Sequence, residues 1–106
     1  MPASIQSPKQ LNVHVDDPRK LIAEFATAVS ISVGPDMFCL DFLFQPPGMG
    51  DGTEAILLKR VVLAPEHAKR LYCALGAQLE TFERNVRVLG EPTTDVPEVI
   101  YTAKGN

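Results

Sequence analysis

Histidines with acidic neighbours are the residues of this sequence whose types and spacing could support catalysis or metal binding. Glu66 and His67 suggest a general acid–base pair. Adjacent helix positions do not face each other, however, so they make a poor dyad. His14 and Asp16 would share one face of a strand, with Asp17 next in sequence. Two or three ligands without a further Cys or His make a weak metal site. The sequence predicts no catalytic residue and no metal site.

Two further segments could be mistaken for functional sites. Asp41 is set among alternating apolar residues, which points it to the other face of a strand, where it can pair across strands with Lys59 or Arg60. The segment QPPGMGDGT at 45–53 is glycine-rich but lacks the Gly-Lys-Ser/Thr ending and the strand–loop–helix order of a phosphate-binding loop. Its composition indicates a hairpin connection. We expect no cofactor.

The elements that would position these residues form an α+β domain. Period-2 alternation and turn signals predict a four-stranded antiparallel meander followed by one long C-terminal helix. The predicted strands cover 11–15, 28–33, 38–44 and 55–63. Residues 19–25 fit either a helix or an extended segment, and the β-branched run beyond them favours the extended form. We divide the chain into a flexible segment at 1–10, a domain at 11–89 and a mobile tail at 90–106.

The helix is predicted to begin at Pro65, because the first helical position tolerates a missing N–H, and to end near 84–88. Its apolar residues fall on one side at helical spacing. They are Ala68, Leu71, Tyr72, Leu75, Leu79, Phe82 and Val86. We expect them to pack against the aromatic face of the third strand, formed by Phe38, Leu40, Phe42 and Phe44.

A second helix face carries small side chains and predicts either an oligomer interface or a tolerant exposed surface. Its members are Cys73, Ala74, Gly76 and Ala77. Gly76 costs about 1 kcal/mol in a helix interior relative to Ala, which suggests a steric reason for its presence. The strand at 55–63 is apolar on both faces, as in a central strand or one shared with a partner.

Composition limits the classes of partner and the cellular compartment that we expect for this chain. A chain of 106 residues suggests one small domain, and its net charge of −3 disfavours nucleic acid as the main partner. A local basic patch remains an alternative, formed by Lys59, Arg60, Lys69 and Arg70. The absence of a signal-peptide pattern and of a membrane-length apolar run predicts a cytoplasmic protein without a membrane partner.

Two motifs in order carry a family resemblance. FCLDF at 38–42 and RVVLAPEHAK at 60–69 resemble the bacterial family called domain of unknown function 3467. Ala64 stands where that pattern often has a capping Ser, a loss of about 1 kcal/mol. A strand meander before a long helix is also similar in topology to the export chaperone SecB. The family has no known function, so the resemblance implies no chemistry. The doubly apolar strand, the small-residue helix face and the lack of a catalytic constellation instead lead us to expect a non-enzymatic homo-oligomer, a dimer or larger, that binds an unidentified protein as an adaptor or in a chaperone-like role. The alternative is a nucleic-acid accessory protein.

Overall fold

Three antiparallel strands and one long helix form the structure. The computed structural model describes residues 10–47, 54–91 and 99–103. Strand β1 spans Ala28–Val33, β2 spans Phe38–Phe44, β3 spans Ile56–Leu63, and helix α1 spans Pro65–Asn85. The strands lie in the order β1-β2-β3, with β2 in the centre. The α+β class and the antiparallel meander are confirmed, but within the described ranges the sheet has three strands, not four.

The predicted strand at 11–15 is absent from the sheet. Its residues are exposed, and the chain then enters a short 3-10 helix at Pro18–Leu21. The Asp17 carboxylate accepts a hydrogen bond from the Arg19 backbone N–H at 3.0 Å and so caps that turn. Alternation was misleading because it records which side chains are apolar and does not supply a neighbouring strand. Residues 22–26, beyond the 3-10 turn, belong to no helix or strand.

The hairpin of β1 and β2 is confirmed, and its register separates an apolar face from a polar one. Ile31 lies opposite Leu40, and Val33 lies opposite Phe38. On the other face Ser30 lies opposite Asp41. We call the first the apolar sheet face; it consists of Val29, Ile31, Val33, Phe38, Leu40 and Phe42.

A β-bulge explains why β3 does not alternate. Lys59 lies opposite Phe42, whereas Leu57 lies opposite Leu43, so Leu58 is an extra residue in β3. An extra residue reverses the alternation beyond it. The consecutive apolar residues at 56–58 therefore do not require a doubly covered strand, and β3 is an edge strand of this sheet.

Helix α1 begins at Pro65 and ends at Asn85, as predicted, but it does not cover the sheet. No residue of the helix is buried; the Leu75 side chain is 55% exposed and Leu79 is 44% exposed. The expected packing against the aromatic face is therefore wrong for the single chain. Ala64 alone connects β3 to α1, which leaves the helix no loop with which to fold back. Among the described residues, no helix is long and apolar enough to cross a membrane.

Three of the predicted segments are described only in part: the N-terminal segment, the glycine-rich connection and the tail. Residues 1–9, within the segment predicted to be flexible, lie outside the described ranges. So do 92–98 and 104–106 of the predicted tail, and 48–53 of the glycine-rich connection. Residues 99–103 lie against the sheet through Tyr101, whose hydroxyl bonds Asp41.

Candidate functional site

The most tightly bonded cluster centres on Asp41 in the middle strand. The β2–β3 register places Asp41 directly opposite Arg60. Arg60 Nε donates to Asp41 Oδ1 at 2.7 Å, and Nη2 donates to Oδ2 at 3.0 Å. This paired fork gives strength and a fixed orientation. Of the two cross-strand partners that the sequence allowed for Asp41, the structure selects Arg60.

Tyr101 closes the cluster from the other end of the chain. Its hydroxyl donates to Asp41 Oδ2, and the Arg60 guanidinium lies over its ring, 5.3 Å from the ring centroid. The Cys39 thiol contacts Asp41 Oδ1 at 3.6 Å. With these contacts Asp41 is only 3% exposed. Residues 99–101 belong to the predicted C-terminal tail. Their apolar character was the only signal of a contact, and it did not identify Asp41 as the partner.

The electrostatics of the cluster suit a structural clamp. The hydrogen bonds from Arg60, and next from Tyr101, lower the pKa of Asp41 to about 2. The same carboxylate raises the pKa of Arg60. An efficient general base has a pKa near the working pH. Asp41 is instead fully ionised near neutral pH, and both of its oxygens accept hydrogen bonds. The cluster therefore fastens the C-terminal segment to the sheet.

The histidines that suggested chemistry are exposed. His67 lies in the first turn of α1, and His14 lies in the segment before the 3-10 helix. Asp16 forms an ion pair with Lys20 at 2.8 Å, and Asp17 forms one with Arg19. Within the ranges that the structure covers, no three His, Cys, Asp or Glu side chains form a group that could hold a metal ion.

The small side chains predicted as an oligomer interface all lie on exposed helix positions. They are Cys73, Ala74, Gly76 and Ala77. A Cβ added to Gly76 would meet nothing within 4 Å. Within the described part of the chain, no close approach accounts for this glycine. The oligomer interface remains a prediction.

The four basic residues of the nucleic-acid alternative do not share one surface. Lys59 and Arg60 are neighbours in β3, so their side chains point to opposite faces of the sheet. Arg60 is held by its carboxylate partner. Lys69 and Arg70 lie along a shallow, open depression of about 480 Å³ on the helix. That depression is lined by Glu66, Lys69, Arg70 and Cys73. The nucleic-acid alternative remains a prediction.

Many large apolar side chains of the described residues are exposed, on the helix and on the sheet. We call those of the helix and its C-cap the apolar stripe, which is formed by Ala68, Leu71, Tyr72, Leu75, Leu79, Phe82 and Val86. Tyr72 in the stripe is 79% exposed, and Val33 on the apolar sheet face is 67% exposed. A stripe of this kind normally faces a core. Sequence reasoning found these residues but assigned them to the wrong contact.

Comparison with known protein families identifies a relationship. The model of a family described as "Protein of unknown function (DUF3467)" matches residues 2–90. The match includes all three strands and the helix, extends beyond the two motifs that first suggested the family, and ends before Tyr101. Searches of curated proteins and of solved structures found no match.

Proposed function

This chain belongs to the DUF3467 family, and we propose that it is a non-enzymatic protein-interaction module that works as an oligomer, as an adaptor or in a chaperone-like role. The observation that carries the proposal is the exposed apolar stripe of α1. Leu75 and Leu79 are near its middle, and both are exposed in the single chain. Contiguous exposed apolar surface on a soluble protein marks an interaction site.

The sheet supports the same proposal independently. Strand β3 forms an edge of the sheet, with Ile56 and Val62 exposed. Native proteins usually protect such an edge with charges, bulges or a covering segment. The bulge at Leu58 and the exposed Lys59 protect part of it, whereas the apolar side chains remain available to a partner. Of the two positions that the sequence allowed for β3, a strand shared with a partner is the one we propose.

The Asp41 cluster supports a role other than catalysis. Its carboxylate is engaged by Arg60 and Tyr101 and so has no free oxygen with which to activate a substrate. Cys39 and Cys73 are free thiols, the form that a reducing bacterial cytoplasm maintains, and this is where we place the protein.

Sedimentation equilibrium of the purified chain tests the proposal. We expect dimers or larger species over loading concentrations from about 1 to about 200 μM, a range that detects micromolar dissociation constants. A monomer throughout that range would overturn the oligomer. Affinity capture from the native cell then tests for a protein partner, with a stripe variant such as Leu79→Asp run beside the wild type. If both recover the same proteins in equal amounts, the stripe does not bind the partner.

Fluorescence anisotropy with labelled DNA and RNA at low ionic strength tests the competing function. If the chain is a protein-interaction module, we expect no salt-sensitive binding to the labelled DNA or RNA. Salt-sensitive binding that is lost in Lys69→Ala or Arg70→Ala would favour the nucleic-acid alternative instead.

A further inference from the structure

We propose that the occupant of the apolar stripe is a second copy of this chain, and that the two α1 helices pair antiparallel about Gly76. The inference rests on the proposed function, because it assumes that the chain associates through this helix. It adds the identity of the partner, the orientation of the helices and their register. The distribution of charge beside the stripe carries it.

The spacing of the stripe is that of helices that pair along their length. Six of its residues follow one another at alternating intervals of four and three. They are Ala68, Tyr72, Leu75, Leu79, Phe82 and Val86. This is the heptad pattern by which two helices interdigitate at a shallow crossing angle. The pattern occupies almost the whole of α1, so the partner needs a helix of matching length and spacing, which a second copy supplies.

One antiparallel register brings large apolar residues together. In it Leu75 lies opposite Leu79 of the second copy, and Tyr72 lies opposite Phe82 of the second copy. Two-fold symmetry then repeats each contact. All four side chains are exposed in the single chain, so each has surface to bury in the pair.

The same register pairs opposite charges beside the stripe. Lys69 and Glu83 lie on the same flank, each seven residues from Gly76. Antiparallel pairing sets Lys69 beside Glu83 of the second copy, and symmetry repeats the contact. Lys69 has no ion-pair partner among the described residues, while Glu83 uses Oε2 to accept the Leu89 N–H at 2.9 Å. Its other oxygen is available to a lysine.

Gly76 acquires a reason in this arrangement. It lies midway between Lys69 and Glu83, and so meets Gly76 of the second copy at the two-fold axis. A residue without a Cβ lets two backbones approach there. The open space around Gly76 within the chain is the space that the second helix would enter.

Parallel pairing offers no comparable match. It would place Gln78 beside Glu83 of the second copy and Leu71 beside Gly76 of the second copy, so that no opposite charges meet across the flanks. It would also align the two helix dipoles, with like ends together. The observations therefore favour the antiparallel pair.

Charge reversal tests the orientation. Lys69→Glu puts two like-charged contacts into an antiparallel dimer, and so does Glu83→Lys. We expect the dissociation constant of each variant's dimer to rise about tenfold or more at low ionic strength. An equimolar mixture of the two variants, one of them isotope-labelled so that the masses differ, restores both opposite-charge contacts. Native mass spectrometry should then show the mixed dimer well above the roughly twofold excess over either homodimer that random pairing gives.

Two controls separate charge from other effects. Glu83→Gln keeps an acceptor for the Leu89 N–H, and we expect a smaller loss than with Glu83→Lys. Arg70→Glu makes the same charge change away from the stripe, and we expect dimerisation to be unaffected. Circular dichroism establishes that each variant keeps its helix.

The outcomes distinguish failure of the proposed function from failure of the antiparallel pairing. A wild-type monomer would overturn the proposed function and this inference together. A wild-type oligomer whose charge-reversal variants associate normally, without a preference for the mixed dimer, would overturn the antiparallel pairing and leave the oligomer in place.

Discussion

Truncation of Leu75 tests most directly whether the stripe is an interface. Replacing Leu by Ala removes three carbons, which contribute about 2.4 kcal/mol when fully buried. In the single chain 55% of Leu75 is exposed, so pairing has about 1.3 kcal/mol still to gain from each copy. A symmetric dimer contains the residue twice. Leu75→Ala should therefore weaken dimerisation by about 2.6 kcal/mol, or about 80-fold in Kd.

The assay is sedimentation equilibrium of Leu75→Ala beside the wild type and Arg70→Ala. Arg70→Ala also shortens a large side chain to Ala, but on the other side of the same helix, so its dissociation constant should match that of the wild type. Urea unfolding below the dissociation constant measures the chain alone, where Leu75→Ala should cost only about 1 kcal/mol because the side chain is half-buried. The reasoning is wrong if Leu75→Ala dimerises as tightly as Arg70→Ala.

Three further predictions concern the clamp and the helix start. Because the pKa of Asp41 lies at about 2 in the folded chain, below its ordinary value of 3.8, its stabilisation is present above pH 4 and is lost between about pH 4 and about pH 2. Asp41→Asn should be less stable at pH 7 and lack that acid transition in urea unfolding; an unchanged acid transition would contradict the clamp. Tyr101→Phe should keep its ring under Arg60 but lose the hydroxyl contact, so amide hydrogen exchange at 99–103 should become faster, whereas protection equal to the wild type would rule out that contact. Ala64→Ser supplies an oxygen at a capping position with extended backbone and should raise the free energy of unfolding by about 1 kcal/mol, with Ala64→Val, which enlarges the side chain but supplies no oxygen, as the control.

The sequence predicts most of the local structure because local signals determine it. Pro65 and helical periodicity locate α1, and the β1–β2 hairpin follows from alternation and a Gly-Pro-Asp turn. The segment at 11–15 alternates equally well, yet it lies outside the sheet. A strand needs a neighbour with which to exchange hydrogen bonds, and a single-sequence pattern does not show whether one is in reach.

Long-range contacts are the part that the sequence leaves open. The partner of Asp41 across the strands could be narrowed to Lys59 or Arg60 because strand pairing limits the choice. The contact with Tyr101 joins residues 60 positions apart and has no local pattern to reveal it. The apolar stripe was recognised as a face that must be covered, but periodicity does not distinguish a sheet of the same chain from a helix of another.

The two faces of the sheet therefore differ in what covers them. On the face that carries Asp41, the chain's own C-terminal segment supplies Tyr101, which bonds Asp41 and lies under Arg60. On the apolar sheet face only the middle is buried, at Leu40, whereas Ile31 and Val33 are exposed and α1 buries none of its own residues there. A monomeric chain would gain most folding stability by covering its apolar sheet face, since apolar burial is the main favourable contribution to folding. Contact of residues 99–103 with the polar face instead is the arrangement expected when other copies or other proteins cover the apolar sheet face.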